Sequence, residues 1–296
     1  MGVADEAAAA AYKLGSRVAR LLPGPAAAVA GRAIGVGMSS VDAQRRRMVA
    51  RHLQRIHGGE LSRLELQRAV QRSFDSYARY WVEAFRLPDV TVDELDAGMS
   101  YEGFEQIWAA LDNGNGAILA LAHLGGWDWG GAWLATQGFE VTVVVEPLEP
   151  AEVFDWFVAF RRTLGMNIVP LGPDAGPAVL RALRGNQIVG LLCDRDITGG
   201  GVEVELFGER TTLPAGPATL ALRTGAPLLP AAVYFEGHGR HRGVIRPAID
   251  LTRKGSLRED VARITQVMAD ELEVLIRAAP EQWHVFQPNW PSDHQV

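Results

Sequence analysis

The chain has 296 residues, 48% hydrophobic and 22% charged, with a formal charge of −6, enough for one large α/β domain with an appended helical segment or for two domains. No stretch nears 18 uninterrupted apolar residues, which argues against a membrane-spanning helix, and Asp5 and Glu6 stand where a cleavable leader would be basic. The single cysteine, Cys193, excludes an internal disulfide framework and a multi-thiolate zinc site and suits a reducing cytoplasmic setting.

Charge is uneven along the chain. Residues 1–72 hold 12 Lys and Arg against 5 Asp and Glu, leaving the remainder strongly acidic. The stretch AAAAYKLGSRVARLLPGPAAAVAGRAIG is helix-like, with Tyr12, Leu14, Val18, Leu21 and Leu22 interleaved with Lys13, Arg17 and Arg20. A second cluster, Arg45, Arg46, Arg47, Arg51 and Arg55, adds a basic helical face. Together these predict that residues 1–72 form a helical segment lying on an anionic membrane surface. A nucleic-acid partner is not expected, because the cluster lacks interleaved aromatics and any binding motif. Residues 73–296 form the main body.

Leu61 to Leu87 reads as a long amphipathic helix ended by Pro88, its stripe of Phe74, Tyr77, Tyr80, Trp81 and Phe85 turned to the core. Strands are predicted at 116–123, 140–146, 167–171, 187–193 and 228–235, with an edge strand at 243–250. Helices fall between them at 127–136, 150–164, 174–184 and 214–224, and a closing helix at 256–278. Gly199 to Gly201 followed by VEVELFGE suggests a tight turn and a short hairpin. The alternation predicts an α/β fold, a central mainly parallel or mixed sheet covered by helices on both faces.

His123 and Asp128 stand out at the carboxyl end of the first of these strands, in GAILALAHLGGWDWGGAW. A spacing of five places the pair on different faces of a helix or strand, so they can meet only across a turn. Gly125 and Gly126 supply a backbone free to make one, and Asp128 would then sit in the first turn of the next helix. A carboxylate holding one imidazole nitrogen is general-base chemistry. No G-x-S-x-G, P-loop or G-x-G-x-x-G motif is present, and no second histidine lies near enough in sequence to pair with His123 on a metal. His284, between Trp283 and Phe286, reads as a packed aromatic-cluster histidine.

These residues, with Arg161 in FRRTLG, the run LLCDRDITGGGVEVELFGERTTLPAGPATLALRTGAPLLP and the closing WHVFQPNW, resemble the bacterial lysophospholipid acyltransferase superfamily. Within it the chain is most similar to actinobacterial phosphatidylinositol mannoside acyltransferases, relatives of the lipid A acyltransferases, over about Tyr77 to Trp290. The resemblance implies that residues 73–296 are an acyltransferase domain with His123 as general base and Asp128 as its orienting carboxylate. It implies long-chain acyl-CoA as co-substrate, no further cofactor and no metal, and a phosphoinositol glycolipid acceptor. Arg161, Asp194 and Arg195 would bind substrate; Asp194 stands where those relatives carry Glu, a shorter reach toward the acceptor. The implied setting is peripheral, on the cytoplasmic face of the plasma membrane. Trp127, Trp129, Trp133 and Leu134 could line an apolar slot for the acyl chain. A thioesterase or a non-catalytic lipid-binding protein on the same fold are the alternatives.

Overall fold

A computed structural model describes residue 12 and residues 14–294, apart from 148, 149 and 238. Part of the expected N-terminal helix, including Lys13, lies outside the described residues. Residues 14–21 form α1, followed by α2 (Gly24–Val41), α3 (Ala43–Ile56) and α4 (Arg63–Arg86). Asp42 caps α3 by accepting the Arg45 N–H, and a Ser62/Glu65 capping box starts α4. Since α4 runs through residue 72, one rigid element joins the basic helices to the body.

The packing of α2 is inverted relative to an ordinary surface helix. Its buried line is Ala27, Gly31, Gly35 and Ser39, small side chains that let the backbone approach α4. A Cβ on Gly35 would stand 2.9 Å from Asp75 Cα. The larger apolar residues face outward, with Val29 69% and Val36 51% exposed. A soluble helix turns its larger apolar residues inward; this one fully buries only small ones, with Met38 at its end the larger side chain that packs partly on the core. No helix among the described residues is long and apolar enough to cross a membrane.

The body follows as α5 (Val92–Ala97), β1 (Met99–Glu102), α6 (Glu105–Asp112), β2 (Ala117–Gly125), α7 (Trp127–Thr136), β3 (Val141–Val145), α8 (Ala151–Thr163) and β4 (Met166–Pro170). Next come α9 (Ala175–Arg184), β5 (Ile188–Leu192), the hairpin β6 (Val202–Leu206) and β7 (Glu209–Leu213), α10 (Gly216–Thr224), β8 (Leu228–Phe235), β9 (His241–Ile245) and α11 (Leu257–Ala278). Seven strands form one sheet in the order β1-β9-β8-β2-β5-β3-β4, and β6 and β7 pair separately. All neighbours in the large sheet are parallel except β8 and β9.

The α/β architecture is therefore as the alternation implies, with one change at its margin. The strand expected at 243–250 begins at His241 and is not an edge, because β1 pairs outside it. At four residues, with three of them exposed, β1 has too little alternation to be seen in sequence.

β2 occupies the centre and shows why both sheet faces are covered. Ile118, Ala120, Ala122 and Leu124 pack with Leu183 of α9, Ala221 of α10 and Met268 of α11. Ala117 and Leu119 pack on the other face with Ile107 of α6 and Trp133 of α7. Alternation along a strand sends His123 to the same side as Leu119 and Leu121, beneath α7.

Candidate functional site

β2 and β5 run parallel with Leu121 opposite Leu192. Two residues further along the same register, His123 comes level with Asp194. The ladder continues to Cys193, whose N–H donates to the Leu121 carbonyl at 2.7 Å. Beyond it a side chain takes over: the Asp194 carboxylate accepts the His123 backbone N–H at 2.8 Å and lies 2.8 Å from the ring Nδ1. Asp194 is 1% exposed. Burial would raise its pKa, but the His123 ring, the Trp283 indole and the His123 N–H outweigh that and hold it below the usual carboxylate range. With an ionised carboxylate on Nδ1, that nitrogen carries the proton and Nε2 keeps its lone pair. Nε2 has no hydrogen-bond partner among the described residues, and the His123 side chain is 21% exposed at a cavity wall.

The expected contact between His123 and Asp128 does not form. β2 continues to Gly125, whose φ of +63° only glycine adopts easily, and a Cβ there would lie 2.1 Å from the Val233 carbonyl oxygen. That turn places Asp128 in the first turn of α7, facing α4 and α8 and not the strand end. There it accepts the Tyr80 hydroxyl at 2.8 Å and a two-pronged pair from Arg161, Nε to Oδ1 at 2.7 Å and Nη2 to Oδ2 at 3.1 Å. Burial works against the Arg161 charge, yet Asp128 more than compensates and raises its pKa. Arg161 is thus largely committed to Asp128, although both still line the cavity.

Asp194, expected to bind substrate, turns its carboxylate to His123 and Trp283. Its two oxygens receive His123 twice and the Trp283 Nε1–H once, the last at 2.7 Å, and it presents almost no surface. Arg195, next in the chain, does line the cavity and makes no ion pair among the described residues. Its neighbour Asp196 accepts the Gly199 and Gly201 N–H groups at 3.0 and 2.8 Å and closes the glycine turn.

The cavity encloses about 680 Å³, well within the range of roughly 300–1,000 Å³ typical of small-molecule sites. One arm runs between α7 and the sheet and is apolar, lined by Leu119, Trp133, Leu134, Val141 and Met166. The other passes over the carboxyl ends of the strands to Arg195, Thr198 and Gly216, where ligands bind in open α/β sheets. Of the residues expected to form an acyl slot, Trp127, Trp133 and Leu134 line the cavity. Trp129 instead stacks on His241 behind α7, with ring centroids 4.2 Å apart.

His284 packs within the aromatic cluster of Tyr77, Tyr80 and Trp127. Its backbone N–H donates to the His123 carbonyl at 2.7 Å, and its ring Nε2 lies 2.9 Å from the Ser76 hydroxyl. Burial, and then the charge that His123 can carry, push its pKa down to about 3, so the ring is neutral near pH 7. Cys193 is fully buried, and burial followed by the Asp194 charge pushes its thiol pKa well up, which makes it a poor nucleophile.

Trp283, Asn289 and Tyr80 are the site residues that the sequence did not assign. Asn289 Nδ2 donates to the Asp194 carbonyl at 3.0 Å. AILALAH and IVGLLCD each read as a buried strand ending in a polar residue, but nothing in the sequence sets the two side by side; the pairing of β2 with β5 does.

A family model described as bacterial lipid A biosynthesis acyltransferase matches residues 4–292. The chain is 42% identical over 227 residues to a phosphatidylinositol mannoside acyltransferase of Mycolicibacterium smegmatis, covering 76% of this chain and 73% of the relative. It is also 42% identical over 226 residues to a phosphatidylinositol mannoside acyltransferase of Mycobacterium tuberculosis, covering 75% and 70%.

Proposed function

The chain belongs to the bacterial lipid A biosynthesis acyltransferase family, and on that premise we propose that it moves a long-chain fatty acyl group from coenzyme A to a sugar hydroxyl of a phosphatidylinositol mannoside. The observation that carries this reading is His123, with Nδ1 held by a buried carboxylate and its ring at the wall of a cavity that is apolar beneath α7 and carries Arg195 and Thr198 at the strand ends. Nε2 takes the proton of the acceptor hydroxyl as its oxygen attacks the thioester carbonyl. Asp194 stabilises the imidazolium so formed. Collapse of the tetrahedral intermediate expels the coenzyme A thiolate, which takes the proton from His123. The sugar supplies the nucleophile, and no acyl-enzyme is needed. The apolar arm suits the acyl chain, and Arg195 suits a phosphate of the donor or acceptor.

Mass spectrometry of products from purified protein, palmitoyl-CoA and a panel of phosphoinositol glycolipids tests the proposal. Acylated glycolipid with strict acceptor dependence is expected. Acyl-CoA hydrolysis regardless of acceptor would replace this reading with a thioesterase, and substrate binding without turnover would replace it with a lipid-binding protein.

The same reading sets the protein peripherally on the cytoplasmic face of the plasma membrane. Two features of the N-terminal helices support it. Residues 12–41 contain no Asp or Glu, and α2 presents Val29 and Val36 outward. The basic cluster of α3 is divided: Arg45 and Arg47 are exposed, Arg46 is partly buried and donates to the Ser39 hydroxyl at 3.1 Å, and Arg55 turns inward to Glu209 at 2.7 Å and Asp293 at 3.1 Å. Replacing Arg45, Arg46 and Arg47 together by alanine should weaken binding to anionic vesicles about 100-fold at low salt, at ~1 kcal/mol per basic residue. Val29→Asp with Val36→Asp should remove the binding that survives high salt. Vesicle flotation reads both; undiminished flotation of both variants would show that these helices do not face lipid.

A further inference from the structure

We propose that Trp283 is a positioning residue for His123, its indole N–H fixing the Asp194 carboxylate that holds the imidazole and moderating the pull of that carboxylate on the imidazole proton. The inference rests on the reading of His123 as the base. Three donors converge on Asp194: the His123 N–H, His123 Nδ1–H and Trp283 Nε1–H, the last at 2.7 Å. Without Trp283 both remaining donors belong to the residue that Asp194 must orient, so nothing independent would fix the carboxylate plane. A charge-assisted hydrogen bond of this kind is roughly twice as strong as a neutral one, and both partners are dry, with Trp283 3% exposed.

The closing segment is itself anchored to the strand it serves. Trp283 bridges to Leu124 of β2, and the His284 N–H donates to the His123 carbonyl. The indole is therefore registered to the His123 backbone on one side and to the Asp194 carboxylate on the other.

The direction of its electrostatic effect follows. An N–H donor stabilises the carboxylate charge, so removing it makes Asp194 a stronger acceptor and the bonded imidazole more basic. The other ionisable groups around the pair leave this dependence visible. His284 is neutral at working pH, Cys193 is protonated, and Asp196 is spent on the glycine turn. Asp128 and Arg161 compensate one another, with Tyr80 bonded to Asp128. Arg195 is the nearest cation in the chain. Behind the indole, His52 lies 5.4 Å from the Trp283 ring and is bonded to Asp293, which also binds Arg55.

The test is a pH titration by nuclear magnetic resonance of protein labelled in histidine and tryptophan, without substrate. In the unsubstituted protein the Trp283 Nε1–H resonance should move with the same midpoint as the His123 ring. In Trp283→Phe, which keeps a ring in the pocket, the His123 midpoint should rise, because the carboxylate that holds the ring loses a donor. Asp194→Asn should lower it. In acyl transfer, Trp283→Phe should reduce kcat with little change in KM and move the acidic limb of the pH profile upward. An indole resonance indifferent to His123, or an unmoved midpoint in a folded Trp283→Phe protein, overturns the proposal. Should Trp283→Phe not fold, the indole titration of the unsubstituted protein decides alone. Coupled titration in a protein that transfers no acyl group would leave the positioning role standing and remove the proposed reaction.

Discussion

Replacing His123 with alanine is expected to lower acyl transfer by ~10²–10⁴-fold, the usual worth of a general base, with the thermal midpoint close to that of the parent. The side chain is 21% exposed at the cavity wall, so its loss removes little core. Asp194→Asn should approach the same loss by another route. An amide offers one acceptor oxygen where three donors meet, so its NH₂ must face an N–H or the ring must take the other tautomer. Acyl transfer and residual acyl-CoA hydrolysis should fall together, because Asp194 acts through the imidazole and not on the acceptor. Kinetics with both readouts check this. Near-normal turnover by a folded His123→Ala protein would end the mechanism, and a selective loss of glycolipid acylation in Asp194→Asn would return Asp194 to acceptor binding.

Asp128→Asn should chiefly cost stability. Arg161 is 14% exposed and its charge is balanced by Asp128, itself 5% exposed. Removing one partner of a buried pair costs about 3–5 kcal/mol, which for a chain this large corresponds to roughly 10 °C in thermal midpoint. Asp128→Asn combined with Arg161→Met should recover part of that loss, since no uncompensated charge then remains. Calorimetry of the single and double variants measures it. A normally stable Asp128→Asn protein as slow as Asp194→Asn would make Asp128 the orienting carboxylate after all.

The contrast between these carboxylates marks what was legible in the chain. Apolar runs such as AILALA and IVGLL disclose buried parallel strands, because such strands need no polar face. His123 was legible as well, from its place at the carboxyl end of one of them. Its partner was not, since proximity in sequence favoured Asp128 while pairing between β2 and β5 brings Asp194 from 71 residues away. Strand order is a long-range property that periodicity does not carry. Arg161 was visible as a candidate, but the charge it would meet depends on how α7 and α8 pack. The short β1 and the antiparallel turn into β9 escaped for the opposite reason, being local elements with too few residues to show a period.

The distance along the chain between Asp194 and Trp283, 89 residues, has a consequence for biosynthesis. At about 5–20 residues per second on the ribosome, roughly 4–18 seconds separate synthesis of the carboxylate from that of the indole that fixes it. The strands bearing His123 and Asp194 emerge early, and the segment that binds them together emerges late. A nascent chain therefore holds an unfinished His123–Asp194 pair until its closing segment arrives, and premature termination before Trp283 leaves that pair without its third partner.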